Sequence, residues 1–315
     1  MTLLAFVAKR LGLILLVLFV VSILIFGIVN VLPGDVASAV LGDQSTPQQV
    51  EALRQKLGLY QPVHVRYLQW MGGVLHGDLG QSLRLDLPIG PLLAQRLKNS
   101  GVLALFAMLT GIPLSVLLGV IAGVTHDKPI DRLISFFTVT AVSIPEYVIG
   151  IGFILIFALY WPILPASSLI DPNGNPFDSL KVLILPAVTL TLRTMAYISQ
   201  LTRTSMVEVL ESNYVRTARL KGLPEWQVIF KHALRNALLP TITVIGMNLG
   251  WLLGGLVIVE TVFSYPGVGQ LMADAVSYRD VPMIQATVLI IAFTYCFGNL
   301  LADVAYVYLN PRIRY

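Results

Sequence analysis

Six long apolar runs constrain the fold of this chain more than any other feature of its sequence. A helix needs about 20 predominantly apolar residues to cross a bilayer. The runs that reach this length are Leu11–Leu32, Gly101–Thr125, Leu133–Trp161, Val182–Leu201, Ala237–Val259 and Val281–Ala302. Because lipid offers the backbone no hydrogen-bond partner, runs of this length indicate helices rather than barrel strands. The sequence therefore predicts an all-α integral membrane protein with six transmembrane helices, in a single domain over residues 1–315.

The composition agrees with lipid as the solvent. Only 12% of the residues are charged, about half the share of a soluble domain, and the net charge of +4 fits Lys and Arg retained in cytoplasmic loops. Lys9 and Arg10 precede the first run as in a signal peptide, but the run exceeds the roughly 7–15 residues of such a segment. We therefore interpret it as a retained span. Pro113, Pro145 and Pro186 lie in or at the edges of spans, where kinks are tolerated.

The basic residues between the runs predict the orientation. With the N-terminus inside, the cytoplasmic segments contain twelve Lys and Arg residues, and the two short outer loops contain only Lys181 and Arg279. The long outer segment, residues 33–100, holds six more, but segments beyond about 60 residues do not follow the charge rule. Both termini are therefore predicted to be cytoplasmic.

The outer segment between the first and second runs is predicted to contain short helices that rest on the membrane. Thr46 followed by Pro47 is typical of a helix N-terminus, and the helical spacing after it ends at Gly58. A second helix is indicated around Val63–Leu75, ending at Gly77.

A basic segment lies between the fourth and fifth runs. Tyr214–Pro240 carries five Lys or Arg residues against one Glu. Its first part ends at Lys221-Gly222, a typical helix end, and apolar residues recur at helical spacing after Pro224. The recurring residues are Trp226, Ile229, Phe230, Ala233 and Ala237, with Glu225, His232 and Arg235 on the other side. This pattern predicts a helix, a glycine turn and an amphipathic helix at the cytoplasmic surface. The cytoplasmic coupling segment is predicted at residues 202–236, and we call its part from Tyr214 to Arg235 the basic loop.

Two interpretations of the basic loop are open from its residues alone. Polybasic segments bind anionic lipid head groups. An amphipathic helix also forms a docking surface for a partner protein.

A family resemblance favours the second interpretation. The stretches YVRTARLKGL and HALRNALLPT resemble the cytoplasmic coupling loop of ABC importer permeases of the dipeptide/oligopeptide family. Five further stretches match the same family in the same order. They are LPGD after the first run, GDLGQS in the outer segment, LTRTSMVEVL before the loop, VETVFSYPGVGQL after the fifth run and NPRIRY at the end. The resemblance extends over essentially the whole chain.

The loop departs from the general importer pattern, which is Glu-Ala-Ala, three residues, Gly, nine residues, then Ile-x-Leu-Pro. Only Ala218, Gly222 and Leu234 agree with it, and Arg216 stands where that pattern has Glu. The peptide branch of the family is much more similar to this sequence. The role of the general pattern's Glu is therefore not carried over.

The resemblance implies a permease subunit of an ATP-driven importer in the bacterial inner membrane, and not an enzyme. Its partners would be a second homologous permease, two ATPase subunits and an extracytoplasmic binding protein that delivers the substrate. ATP and Mg²⁺ would bind to the ATPase subunits, since this chain has no G-x-x-x-x-G-K-[ST] motif; no cofactor is expected in it. The residues expected at the ATPase are Arg216, Thr217, Ala218, Arg219, Lys221, Gly222, Trp226 and Phe230.

Ionisable residues inside the spans are the candidates for the translocation path. Arg193 lies well inside the fourth run, where an Arg is costly unless it faces water or a partner. Glu146 in the third run is the natural counter-charge, and Glu260 follows the fifth run. Arg193 and Glu146 either line the path, where they would meet the termini of a peptide, or only lock two helices together.

The loop after the fifth run is a candidate gate. We interpret residues 264–271 as a re-entrant or outer gate element, in which Gly267 and Gly269 permit a tight backbone after Pro266. An ordinary interfacial turn is the alternative. The four histidines show no metal-ligand spacing such as H-E-x-x-H, so no metal site is predicted.

An autonomous secondary transporter or channel is the alternative from another class. It would favour inverted repeats and paired broken helices, which the sequence does not show, and it leaves the basic loop unexplained. The substrate stays open, because permeases of this branch resemble one another whether they carry dipeptides, oligopeptides, glutathione, opines, oligosaccharides or nickel chelates. The family favours short peptides.

Overall fold

A computed structural model describes residues 3–31, 46–56, 58–170 and 180–309, and within these ranges the regular structure is helical. The LPGD and NPRIRY stretches lie outside the described residues. The helices are α1 Leu3–Val31, α2 Pro47–Lys56, α3 Val63–Leu75, α4 Ile89–Val124, α5 Pro129–Ser143, α6 Glu146–Ile154, α7 Leu180–Leu210, α8 Asn213–Leu220, α9 Glu225–Gln227, α10 Leu234–Val262, α11 Val268–Ser277 and α12 Val281–Leu309.

Four of these helices are long and apolar enough to cross a membrane, or five segments if a bent pair of helices forms one span. The four are α1, α4, α7 and α12, and the pair is α5 with α6. The fifth predicted run, Ala237–Val259, lies within α10. The all-helical membrane architecture is confirmed at this level.

The third predicted span, Leu133–Trp161, is not a straight helix, because the chain bends by 107° between α5 and α6. Pro145 explains the break, because a proline disfavours the helical region for the residue before it; Ile144 has φ −99° and ψ 132°. Beyond α6 the chain continues as a π-helical segment, Leu155–Tyr160.

The chain divides into two compact units, and the first comprises Met1–Ser100 with Pro266–Phe297. The helices predicted in the outer segment are present as α2 and α3. The N–H of Gln49 donates to the Thr46 hydroxyl at 3.3 Å, which confirms the predicted helix start. Aromatic contacts join α3 to α1, with the ring of Phe26 stacked 5.7 Å from that of Trp70.

Asp280 holds the GDLGQS stretch within this first unit. Its buried carboxylate accepts a hydrogen bond from the Ser82 hydroxyl and others from the backbone N–H groups of Leu83 and Arg84. It also accepts one from the N–H of Met283 in the first turn of α12. The motif is therefore tied to a helix start almost 200 residues later in the chain, a contact that the sequence pattern does not reveal.

The second unit comprises Gly101–Tyr265 with Gly298–Tyr315. Its helices α4 and α7 approach closely because glycines of α4 face α7. A Cβ on Gly119 would lie 2.5 Å from Cβ of Thr202, and one on Gly123 would lie 2.5 Å from Cβ of Met206. Small residues allow this close backbone approach in membrane helices.

Candidate functional site

The basic loop has the predicted order of helix, glycine turn and helix. Helix α8 ends at Leu220, and Gly222 follows with φ +73°, a left-handed conformation that favours glycine. The N–H of Gly222 donates to the carbonyl of Arg219 at 2.9 Å and closes the turn. After Pro224 the chain passes through α9 and a π-helical segment, Val228–Ala233, directly into α10.

An ion pair joins the two sides of the turn. The Nη2 of Arg219 donates to Oε1 of Glu225 at 2.6 Å, and its Nε donates to Oε2 at 3.2 Å. These hydrogen bonds lower the pKa of Glu225 and raise that of Arg219. Both side chains are well exposed, so the pair contributes only modestly to stability.

The inner face of the loop packs against the helices that flank it. Val215, Ala218 and Val228 are buried together and contact Val209 and Leu210 at the end of α7. A second buried cluster joins the loop to α4, α7 and α10; it is Val120, Met206, Ala233 and Ala237. The loop is therefore fixed to three long helices, and Ala218 serves this inner packing.

The outer face of the loop exposes large apolar side chains. Leu220, Trp226 and Phe230 are 80%, 63% and 62% exposed, and we call these three the exposed apolar face. Arg216, Thr217 and Lys221 are exposed as well, and Thr217 donates its hydroxyl only to the backbone of its own helix.

The predicted apolar stripe of the second loop helix is therefore only partly right. Ala233 and Ala237 are buried, whereas Trp226 and Phe230, which were predicted to contact the ATPase, are exposed, and Val228 is buried. The π-helical segment is the physical reason, since its wider turn shifts side chains from the positions that a 3.6-residue period assigns.

The candidate path residues lie in the second unit. Arg193 in α7 and Glu146 at the start of α6 are partly buried, and the charge of Arg193 acts on the Glu146 carboxylate. Gly255 of α10 faces that carboxylate, since a Cβ there would lie 3.1 Å from Oε2. Glu260 is different. Its side chain is 0% exposed, so it faces no open cavity in this conformation.

The candidate gate is a buried turn. Pro266, Gly267 and Gly269 are all buried. The Nδ2 of Asn99 donates to the Pro266 carbonyl at 2.8 Å, and the N–H of Val268 donates to the Ser100 hydroxyl at 2.9 Å. Helix α11, which was not predicted, begins there.

Neither glycine of the candidate gate has a left-handed backbone. Gly267 has φ −104° and ψ −174°, an extended conformation that any residue adopts, and Gly269 lies in the first turn of α11. The left-handed residue of this turn is Ser264, with φ 51°.

A buried ion pair near the end of α7 was also missed. Asp131 in the first turn of α5 is 1% exposed, and both of its carboxylate oxygens accept from Arg203. His126 and Asp127 lie within 4.8 Å of it, in a grouping of the kind that can hold a metal ion. Because Arg203 engages both oxygens of Asp131, we assign this cluster to the ion pair.

Comparison with known proteins agrees with this architecture. Residues 115–315 match the family model of the binding-protein-dependent transport system inner membrane component, and residues 3–89 match the model of the N-terminal part of such membrane components. A probable peptide ABC transporter permease of Sinorhizobium fredii is 38% identical over 310 residues, which cover 98% of this chain and 99% of that protein.

Two further relatives cover the chain equally well. A dipeptide transport system permease of Alkalihalophilus pseudofirmus is 37% identical, with 99% of this chain and 100% of that protein covered. A glutathione transport system permease of Escherichia coli is 37% identical, with 98% and 99% covered. The chain thus belongs to the family of binding-protein-dependent transport system inner membrane components, and it is a multi-pass inner membrane protein.

Proposed function

We propose that this chain is the permease subunit of an ATP-driven ABC importer of short peptides. It would have six transmembrane helices with both termini in the cytoplasm. It would form the path with a second, homologous permease, while an extracytoplasmic binding protein delivers the substrate and two ATPase subunits bind ATP and Mg²⁺. The relatives named as peptide and dipeptide permeases support this proposal, and so does the charge asymmetry of the loops.

The observation that carries the proposal is the exposed apolar face of the basic loop. The loop is polar overall, yet Trp226, Phe230 and Leu220 point away from its packed side. Exposed large apolar groups surrounded by polar residues mark sites of protein–protein contact, and tryptophan is enriched among the residues that dominate such contacts. Arg216 and Lys221 would add electrostatic attraction to an acidic partner surface.

The inner packing of the loop gives the contact a mechanical consequence. Val215, Ala218 and Val228 hold the loop against the end of α7, and the π-helical segment continues into α10. A partner that closes on ATP and carries the loop with it would therefore displace both helices together.

The test begins with the assembled complex in proteoliposomes. Wild-type complex should hydrolyse ATP faster when substrate-loaded binding protein is added. Gly222→Pro should abolish this stimulation while the protein stays inserted, because proline cannot adopt φ +73°. Gly222→Ala, which is strained less, should keep part of it. Stimulation that persists in Gly222→Pro would refute the role of the loop.

A matched pair of tryptophans tests the exposed apolar face itself. Trp226→Ala should weaken binding of the ATPase subunits by about 10-fold or more. Trp161, which is also exposed (55%) but lies at the far end of the third predicted span, is the control, and its replacement by Ala should leave ATPase binding unchanged. Equal effects of the two replacements would argue against docking through the loop.

Arg193 and Glu146 are proposed to line the path beside the peptide. Arg193→Ala should then reduce peptide uptake strongly in a complex that still assembles, because a charge that meets the substrate is lost. The amount of purified complex and the uptake of labelled dipeptide measure the two effects. If Arg193→Ala instead prevents assembly of the complex, the role of Arg193 is purely structural. Glu260 stays outside this proposal because its side chain is fully buried.

Glutathione is the second candidate substrate. The glutathione permease is as similar to this chain as the dipeptide permease, at 37% identity. Competition between labelled dipeptide and unlabelled glutathione in the uptake assay separates the two candidates.

A further inference from the structure

Asp131 and Arg203 form the most completely bonded ion pair among the described residues of the second unit. The Nη2 of Arg203 lies 2.7 Å from Oδ2 of Asp131, and its Nε donates to Oδ1. The N–H of Asp127 donates to Oδ2 at 3.1 Å, and the Ser135 hydroxyl donates to Oδ1 at 3.3 Å. A charged, two-point contact of this kind fixes geometry as well as adding energy.

The pair joins the basic loop to the broken helix. Arg203 lies on α7 one turn before Met206, whose side chain is buried against Ala233 and Ala237 at the far end of the loop. Asp131 lies in the first turn of α5, the helix that ends at the 107° bend before Glu146. Because α7 is continuous from Leu180 to Leu210, a displacement of the loop reaches Arg203 without an intervening hinge.

The interface between α5 and α7 is held at one end and open at the other. Near the ion pair, the Gln200 amide donates to the Thr138 hydroxyl at 3.4 Å. Further along, an apolar cavity of about 370 Å³ lies beside the contact and is open to the surface, with Phe137 and Ala141 on α5 and Leu192 and Met195 on α7 among its lining residues. Phe137 is 63% exposed, so this side of α5 has room to move about its bonded end.

We propose that Asp131 and Arg203 are a positioning pair that makes α5 follow the basic loop, so that α5 swings within the apolar cavity and shifts α6 with Glu146 at its start. This proposal rests on the proposed function, because it assigns a route from the loop to the candidate path. The ion pair transmits the displacement of α7 to α5, and the cavity is the space into which α5 moves.

The experiment removes the contact with the smallest change in shape. In the assembled complex, Asp131→Asn should preserve ATP hydrolysis without binding protein to within about twofold of the wild-type rate. It should reduce the stimulation by loaded binding protein at least tenfold, and peptide uptake with it. Arg203→Lys, which keeps the charge but loses the two-point geometry, should show the same pattern more weakly. Arg132→Gln removes an exposed neighbouring charge and should change nothing.

Distance measurements give a readout that a purely structural ion pair would not affect. Spin labels on Phe137→Cys and Met195→Cys, in a Cys296→Ser background, report on two residues that line the cavity, one on α5 and one on α7. When ATP is added, the distance between the labels should change in the complex that keeps Asp131 and should stay constant in the complex that carries Asp131→Asn. An ATP-dependent change that survives in Asp131→Asn would overturn the proposal.

The remaining outcomes are also decisive. If Asp131→Asn and Arg203→Lys both fail to assemble, the pair is structural and the proposal is overturned. If both assemble and respond to loaded binding protein as the wild type does, it is overturned as well. Failure of the wild-type complex to respond at all would refute the proposed function, which separates the two proposals.

Discussion

Helix α7 has two neighbours that it contacts in opposite ways. Toward α4 the backbones are nearly in contact, since a Cβ on Gly119 would lie 2.6 Å from the carbonyl oxygen of Ser199. Toward α5 the contact includes the Asp131–Arg203 ion pair, one amide hydrogen bond and an open apolar cavity. The first interface leaves no space between the backbones, whereas the second has open space beside the contacting side chains. A transporter needs both kinds, because one set of helices must stay together while another changes position.

The interface between α4 and α7 should be the more sensitive of the two to added atoms. The resulting loss of stability is the largest effect that we expect. Gly119→Ala places a methyl group where Thr202 and Ser199 already lie. It should lower the free energy of unfolding by about 1–3 kcal/mol, as for overpacked cores. Unfolding of the purified protein in detergent measures the change.

Gly254→Ala is the control for this prediction, because a Cβ at Gly254 meets nothing within 4 Å. Its free energy of unfolding should stay within about 1 kcal/mol of the wild-type value, which is the difference in helix propensity between Gly and Ala. Equal losses from the two replacements would mean that α4 and α7 are not held by close approach.

The interface between α5 and α7 should accept added atoms, but transport should fall when they are added. Ala141→Leu extends into the cavity beside α5 and should leave the free energy of unfolding within about 1 kcal/mol of the wild type, since the added methylenes gain burial there. Peptide uptake in proteoliposomes should fall, because the space for movement is filled.

Ala196→Leu is the matched replacement on α7, where Ala196 is buried, with 2% of its surface exposed. It should destabilise by about 1–3 kcal/mol. If Ala141→Leu costs as much as Ala196→Leu, the cavity is not available to larger side chains. If it is tolerated and uptake is unchanged, movement into the cavity is not part of transport.

Among these contacts, the exposed ion pair of the basic loop should contribute least to stability. Glu225→Gln removes the charge that Arg219 contacts and should cost less than about 0.5 kcal/mol, because both groups are solvated. Arg219 lowers the pKa of Glu225 below its ordinary value of 4.5, so the contribution of the pair is complete above that value and is lost as the pH falls through the lowered pKa.

Melting temperatures at pH 6 and pH 3.5 measure this contribution. The difference between wild type and Glu225→Gln should be small at pH 6 and smaller at pH 3.5. A larger difference at the lower pH would contradict the sign that the hydrogen bonds from Arg219 imply.

Much of this architecture could be predicted from local patterns. Apolar length predicted the membrane helices, since crossing lipid demands about 20 residues, and Lys221-Gly222 predicted the loop turn because few residues other than glycine adopt its φ. These features depend on neighbours in the chain, so a single sequence contains the information needed.

The features that escaped prediction depend on contacts between distant residues. Asp131 and Arg203 are 72 positions apart, and Asp280 and Ser82 are 198 apart; no periodicity relates them. The single apolar stripe predicted from Trp226 to Ala237 is divided between an exposed and a buried part, because the pattern contains apolar residues for a partner as well as for the chain's own core. The sharpness of the bend at Pro145 was missed because a proline in an apolar run predicts a kink but not its angle.

The two helices that leave the basic loop differ in bending stiffness. In α7 the proline, Pro186, lies at the end remote from the loop, so the part next to the loop is an uninterrupted helix. In α10 the proline is Pro240, within two turns of the helix start, and the backbone hydrogen bond lost there makes bending cheap. A displacement of the basic loop therefore acts on one stiff helix, α7, and on one helix that bends easily, α10. Helix α7 transmits the full displacement, whereas α10 absorbs part of it close to the loop.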